Sequence, residues 1–260
     1  ASVLPVPWKT SWALHACLAG DGGRHAVVWP GGWFDPNVLD GSGKGGDGKA
    51  CSAMPEVTAG LKLPHGGPKV VLRLAIGGDL SAERLLLAYK TGIFPWYNDG
   101  DPILWWSPDP RFVLFPEKLK VSKSMNKILK SENFSVTINQ DFSGVINACS
   151  QSKQDGQYGT WITDEMITAY SKLHELGYAK SVEVWQNEVL VAGLYGVDLN
   201  NGVFCGESMF THLSNASKVG FITFIQKTNY KLIDCQVYTR HLESLGAESI
   251  SKDNFLNFIS

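Results

Sequence analysis

Apolar positions fall into regular periods only after about Leu72, and from there the chain predicts an alternation of helices and strands. Ser81 caps a helix in which Leu85, Leu86 and Tyr89 recur at helical spacing, with Gly92 and Pro95 as stop signals. The segment 92–111, GIFPWYNDGDPILWWSPDPR, holds four prolines and three tryptophans and predicts a stiff, compact loop. A second module begins near Pro116. SKSMNKILK at 122–130 predicts a short basic helix, FSVTI at 134–138 a strand, and 141–150 a helix with Phe142, Val145, Ile146 and Cys149 on one side. TDEMITAYSKLHELG at 163–177 is a helix from its cap at Thr163 to its stop at Gly177, with Met166, Tyr170 and Leu173 as the apolar stripe. A meander follows, SVEVW, VLVAGLYGV and VFCGESMF, joined by turns at 187–188 and 200–201. Residues 214–227 return to helix and KLIDCQV to strand, and the tail alternates short helix, strand (AESI) and helix. Hairpins closed by an α–β–α run predict an α+β fold rather than a doubly wound parallel sheet.

The first 70 residues read differently. They hold 13 of the 27 glycines and 7 of the 12 prolines, with GSGKGGDGK at 41–49 as the extreme. Such a chain buries too little apolar surface to offset its ordering entropy, so loose coil is expected, with at most short strands around HAVVW at 25–29. The opening ASVLPVPWKTSWALHACLAG is only faintly signal-like, because it has no basic start and no clean apolar core. The expected division is an atypical Gly/Pro-rich segment at 1–72, a remnant of a small N-terminal domain at 73–116 and a larger domain at 117–260.

Composition narrows the classes. With 44% apolar and 18% charged residues in 260, the chain has the make-up of a soluble globular enzyme. Its longest apolar runs fall well short of the roughly 20 residues of a membrane-spanning helix, so no membrane role is expected. A formal net charge of −2 leaves only a local basic patch to hold a nucleic acid. Five cysteines without a CxxC spacing read as reduced thiols of a cytoplasmic protein. The six histidines form no HxxxH or HExxH, so neither metal nor cofactor is expected.

Candidate chemistry starts with KLIDCQV at 231–237. On a regular strand Asp234 and Gln236 share one face, opposite Ile233, Cys235 and Val237. A buried carboxylate needs partners or an opening, and a pocket is the reading favoured here. In GESMF, Glu207 stands between Gly206 and Ser208, so no GxSxG nucleophile elbow is present. If that segment is extended, Cys205, Glu207 and Met209 share a face. A surface glutamate beside a core methionine is the plainer alternative. Trp96, Trp105, Trp106 and Trp161 either anchor loops to the core or offer a stacking platform for a nucleobase. Lysines 118, 120, 123, 127 and 130 face only Glu117 over 117–131, forming either solvated surface or a phosphate-binding strip.

Taken in order, GGDLSAERLLLAYKTGIFPWY, DPILWWSPDPR, TWIT, AYSKLHELGYAKSVEVW, LVAGLYGV, GESMF, NASK and LIDCQ resemble the bacterial leucyl/phenylalanyl-tRNA protein transferases from about Ala75 to the end. The resemblance implies a C-terminal domain of acetyltransferase-like (GNAT) fold behind a small N-terminal α/β domain. It implies transfer of Leu or Phe, and also Met, from aminoacyl-tRNA to acceptor proteins beginning with Arg or Lys, which marks them for degradation. It places the catalytic set on Asp234, Gln236 and Glu207, the adenosine-stacking rings on Trp96 and Trp161, and further substrate contacts on Tyr89, Leu194, Phe204, Met209, Phe224 and Ile233. Lys120, Lys123 and Lys127 are the expected contacts to the tRNA backbone, and a monomer is expected. Two departures stand out: residues 1–72 are unlike the family's opening, leaving the small sheet without its edge strand, and FIQKTNYK at 224–231 is short and glycine-free. An acyl-CoA-dependent N-acetyltransferase and a non-catalytic tRNA-binding module are the rival readings. No Q/RxxGxG/A pyrophosphate loop follows VLVAGLYGV to support the first.

Overall fold

A computed structural model describes residues 71–131, 133–152 and 162–260. Trp161, the short strand read at 25–29 and nearly all of the segment read at 1–72 lie outside the described residues. A small antiparallel sheet of β1 (Val71–Ile76), β2 (Phe94–Pro95) and β3 (Leu104–Asp109), in the order β1-β3-β2, packs with α1 (Ala82–Lys90). Two expectations are corrected here. The small sheet has its edge strand, since β1 pairs with β3 from Val71↔Asp109 to Ile76↔Leu104. The segment 92–111 is no loop: β2 and β3 pair at Phe94↔Trp106 and Pro95↔Trp105. Pro108 lies beyond the two residues that β2 pairs, and Pro95 sits on β2, an edge strand. Trp105 and Trp106 are buried, and their indole N–H groups donate to the Gly77 and Trp96 carbonyls at 2.9 and 2.6 Å.

The larger sheet has seven strands. In chain order its elements are β4 (Arg111–Leu114), α2 (Lys123–Lys130), β5 (Ser135–Ile138), α3 (Phe142–Gln151), α4 (Asp164–Glu175), β6 (Ala179–Gln186), β7 (Val189–Asp198), β8 (Val203–Thr211), α5 (Ala216–Lys227), β9 (Leu232–Gln236), α6 (Arg240–Ser244), β10 (Glu248–Ile250) and α7 (Lys252–Ile259). The strand order is β10-β4-β9-β8-β7-β6-β5, and all neighbours are antiparallel except β8 and β9. That parallel pair requires a crossover, which α5 supplies. Arg111–Leu114 pairs within this sheet, ahead of the boundary read at residue 117.

Local chemistry accounts for most element ends. Ser122, Asp141, Thr163 and Ser251 each accept a backbone N–H three residues on, at 2.8–3.2 Å. Ser81 occupies the cap position without such a bond, and the Asp79 carboxylate accepts its N–H instead at 2.9 Å. The hairpin between β6 and β7 turns on Asn187 and Glu188, both left-handed with φ of 50° and 64°. Apolar layers cover both faces of the sheet. On one, α3 and α4 set Val145, Ile146, Met166 and Tyr170 against Tyr195, Val197 and Cys205, and the layer runs on into Leu85, Tyr89, Phe94 and Trp105 of the small unit. On the other, α5 sets Ile222, Phe224 and Ile225 against Val182, Leu194, Phe204 and Ile233. Burial on both faces explains the unbroken apolar run VLVAGLYGV.

Candidate active site

The centre of the sheet carries two irregularities side by side. Along β7–β8 the partners go from Gly196↔Gly206 to Tyr195↔Ser208, so Glu207 is the extra residue of a bulge. Gly196 permits it, because a Cβ there would lie 2.2 Å from the Cys205 carbonyl oxygen and 2.6 Å from the Phe204 ring. Along β4–β9 the partners go from Val113↔Asp234 to Phe112↔Gln236, leaving Cys235 as the extra residue. The parallel pairing of β8 with β9 ends at Cys205↔Asp234. Beyond that point Gln236 Nε2 donates to Glu207 Oε1 at 2.7 Å.

These bulges correct two expectations of shared faces. Cys205 is buried in the layer beneath α3 and α4, whereas Met209 packs with the opposite layer, because the bulge at Glu207 breaks the alternation between them. Likewise Asp234 and Gln236 do not meet one environment. Gln236 adopts φ 62°, a left-handed conformation costing on the order of 1–3 kcal/mol outside glycine, and its side chain lines a cavity. Asp234 has no exposed surface and is absent from that lining.

Asp234 is fully engaged. Arg111, itself only 1% exposed, donates Nε to Oδ1 at 2.8 Å and an Nη to Oδ2 at 2.6 Å, and the Gln236 backbone N–H adds a third bond to Oδ1 at 2.9 Å. The guanidinium lies between the rings of Phe94 and Phe255, 4.9 and 4.6 Å from their centroids, and reaches the Gly92 carbonyl at 3.3 Å. Burial opposes the Arg111 charge, but the Asp234 carboxylate outweighs it and holds the guanidinium above its ordinary range. The left-handed Gly92, with φ 74°, permits this approach: a Cβ would lie 3.0 Å from Leu256 and 3.3 Å from Phe255.

Glu207 has softer company. Its second oxygen accepts the Tyr170 hydroxyl at 3.2 Å, and that hydroxyl shares a 2.5 Å hydrogen bond with the hydroxyl of Tyr89. Burial pushes the carboxyl up to about 8. The Asp234 charge adds to this shift, while bonds from the tyrosine hydroxyls and the more distant Arg111 charge oppose it. Burial and the nearby Glu207 carboxyl lift both phenols well above their ordinary range, so they remain proton donors.

The cavity in front of this pair holds about 290 Å³. Leu194, Phe204, Met209, Phe221 and Leu242 form its apolar body, Glu207 and Gln236 its polar side, and Phe94, Pro95 and Trp96 the wall from the small sheet. Trp96 is half-buried, tilted against Trp106 at a ring separation of 5.8 Å. The Tyr195 hydroxyl and His241 Nε2, both on lining residues, are buried without a hydrogen-bond partner among the described residues. Glu207, Gln236, Trp96, Leu194, Phe204 and Met209 are thus brought together. Phe224 and Ile233 are not on the lining. Both are buried, and Phe224 supports Phe204 edge-on at 4.8 Å from behind, because α5 turns that face into the core. Tyr89 is also buried, and its hydroxyl meets Glu207 beside that of Tyr170 rather than lining the cavity. Lys120, Lys123 and Lys127 are exposed and do not line the cavity. Sequence reasoning gave no role to Arg111, Tyr170 or Phe221. Arg111 was recoverable, since a buried acid demands a cation, whereas Tyr170 hid within an apolar stripe.

Comparison with known proteins bears on this arrangement. Residues 113–260 match the family model described as leucyl/phenylalanyl-tRNA protein transferase, and residues 78–109 match that of its N-terminal domain. The leucyl/phenylalanyl-tRNA–protein transferase of Flavobacterium johnsoniae is 61% identical over 189 residues, covering 72% of this chain and 89% of that protein. The protein of the same name from Pseudomonas fluorescens is 46% identical over 230 residues, 87% of this chain and 92% of its own length. An alignment that long takes in part of residues 1–70, so the opening is not wholly unlike the family. A GCN5-related N-acetyltransferase from Kribbella flavida overlaps at 12% identity and a TM-score of 0.35, over 64% of this chain and 59% of that one, too loosely to bear on the site. With more than half of its length matched by the family model, and relatives this similar, the chain belongs to the leucyl/phenylalanyl-tRNA–protein transferase family.

Proposed function

We propose that the protein transfers Leu or Phe, and also Met, from aminoacyl-tRNA to the α-amino group of acceptor proteins that begin with Arg or Lys, marking them for degradation. The observation carrying this reading is an apolar cavity of about 290 Å³ with the Glu207–Gln236 pair at its polar side. The cavity takes the aminoacyl side chain between Leu194, Phe204 and Met209, and discrimination among similar apolar groups is worth only ~1–3 kcal/mol. Trp96 stacks on the terminal adenosine, and Trp161 is its proposed counterpart. No described helix is long and apolar enough to cross a membrane.

Aminoacyl-tRNA is an activated ester, so the enzyme must mainly align the amine with the carbonyl carbon and free its lone pair. A protein α-amino group titrates near ~7.7–8.0, and a carboxyl at about 8 is matched to accept its proton. Glu207 therefore takes the proton from the amine as the C–N bond forms and passes it to the departing ribose oxygen as the ester C–O bond breaks, which leaves Glu207 as it began. With its N–H₂ on Glu207, Gln236 presents its carbonyl oxygen to the amine. Asp234 is assigned a supporting part because Arg111 occupies both of its oxygens.

Transfer of radiolabelled Leu from charged tRNA to an Arg-starting peptide tests the reading. Label in the peptide, absent when the peptide begins with Glu, is the expected result. Acetyl transfer from acetyl-CoA, or tRNA binding without transfer, overturns it in favour of one of the two rivals.

A further inference from the structure

Resting on that reading, we propose that Arg111 is a positioning residue of the transfer reaction: through Asp234 it holds the backbone of Gln236 left-handed and so aims the Gln236 carboxamide at Glu207. The chain of contacts is continuous. Arg111 grips both Asp234 oxygens at 2.8 and 2.6 Å, Asp234 Oδ1 accepts the Gln236 N–H at 2.9 Å, and Gln236 Nε2 reaches Glu207 Oε1 at 2.7 Å. Gln236, with φ 62°, follows the last ladder pairing between β8 and β9. A strained backbone of that kind persists only where its surroundings over-determine it. The Asp234 carboxylate supplies the constraint.

Asp234 needs Arg111 for this. A carboxylate with no exposed surface and no cation would be driven to bind a proton, and a neutral carboxyl is a poorer, reorientable acceptor. Arg111 is fixed in turn from three sides, by the Phe94 ring, the Phe255 ring of α7 and the Gly92 carbonyl. Phe94 also lines the cavity beside Trp96. One guanidinium thus registers the small-sheet wall of the cavity against the polar arm of β9. A planar fork suits this task and a lysine does not, because only the fork fixes the plane of the carboxylate.

The alternative is that the pair only holds the fold together. Three variants of the full chain separate the two, R111K, R111M and the double R111M/D234L. The double replaces a buried ion pair with apolar groups, an exchange that is often neutral or stabilising. In R111M the Gln236 amide is expected to exchange with solvent at least about tenfold faster while those of Leu232 and Ile233 stay protected. In the double variant the Tm should equal or exceed that of the wild type while kcat falls about tenfold or more, with KM for Leu-tRNA within about threefold. R111K should fall between. Should R111M fail to fold, R111K, which keeps the Asp234 acceptor, carries the same exchange measurement. A Gln236 amide as protected as in the wild type, or wild-type kcat in the double, overturns the proposal. A wild type that transfers no Leu refutes the proposed function alone, since the exchange measurement decides the role of Arg111 without it.

Discussion

Asp234 closes the last β8–β9 pairing, opposite Cys205, and Glu207 lies two residues beyond that partner on the adjacent strand, yet their surroundings treat them in opposite ways. Asp234 is sealed and met by a full positive charge in bidentate geometry. Glu207 is met by a phenol and an amide, neutral donors that offset its desolvation only in part and leave it titrating at about 8. Full compensation yields a strut. Partial compensation yields a group able to exchange a proton near neutral pH, which a reacting amine requires.

Mutation should separate the two acids cleanly. D234A leaves Arg111 buried and unpaired, a loss typically of ~3–5 kcal/mol, and a large drop in Tm is expected by thermal unfolding. E207Q keeps the shape and one acceptor oxygen, so it should still fold cooperatively while kcat falls by ~10²–10⁴. A normal Tm in D234A, or a collapse in E207Q, would invert the assignment of strut and reacting group.

The pH dependence of Glu207 gives an effect at a smaller scale. The folded-state value of Glu207 is raised from 4.5 to about 8. Between those limits the unfolded chain has released a proton that the folded chain retains, so stability falls as pH rises. The Glu207 contribution is complete below pH 4.5 and is lost by the time pH passes about 8. E207Q should therefore gain Tm relative to the wild type across that window and hold a constant difference above it. Parallel curves throughout would place Glu207 in ordinary solvent.

Much of the fold was legible because its signals are local. Thr163 reads as a cap and acts as one, whereas Ser81 holds the cap position it was read for without a side-chain bond, and the stripe Met166, Tyr170, Leu173 is buried as its spacing requires. The region 92–111 was misread because Pro and Trp density mimics a loop, and the pairing of β3 with both neighbours depends on chain far away in sequence. The same limit applied at the site. Strict two-residue alternation put Asp234 with Gln236 and Cys205 with Met209, but single-residue bulges, set by Gly196 and by cross-strand register, reverse each assignment. Phe224 and Ile233 failed as lining residues for a related reason: apolar character marks burial without saying which layer a ring occupies.

The smallest expected effect lies on the exposed surface of α2, where Lys123 and Lys127 stand one turn apart with Lys120 just ahead of them. If these lysines track the tRNA backbone, each neutralises one phosphate and releases its counterion, so affinity should depend on salt through their number. Replacing Lys123 and Lys127 with Gln should weaken Leu-tRNA binding modestly and make the slope of log K against log salt shallower by ~1 per lysine, close to the ~0.7–0.9 released per contact. Turnover at saturating Leu-tRNA should not change, because neither side chain lines the cavity. An unaltered slope would leave these lysines as solvated surface. A lower kcat would instead mean that α2, packed on α5, carries a displacement through Phe221 into the wall of the cavity.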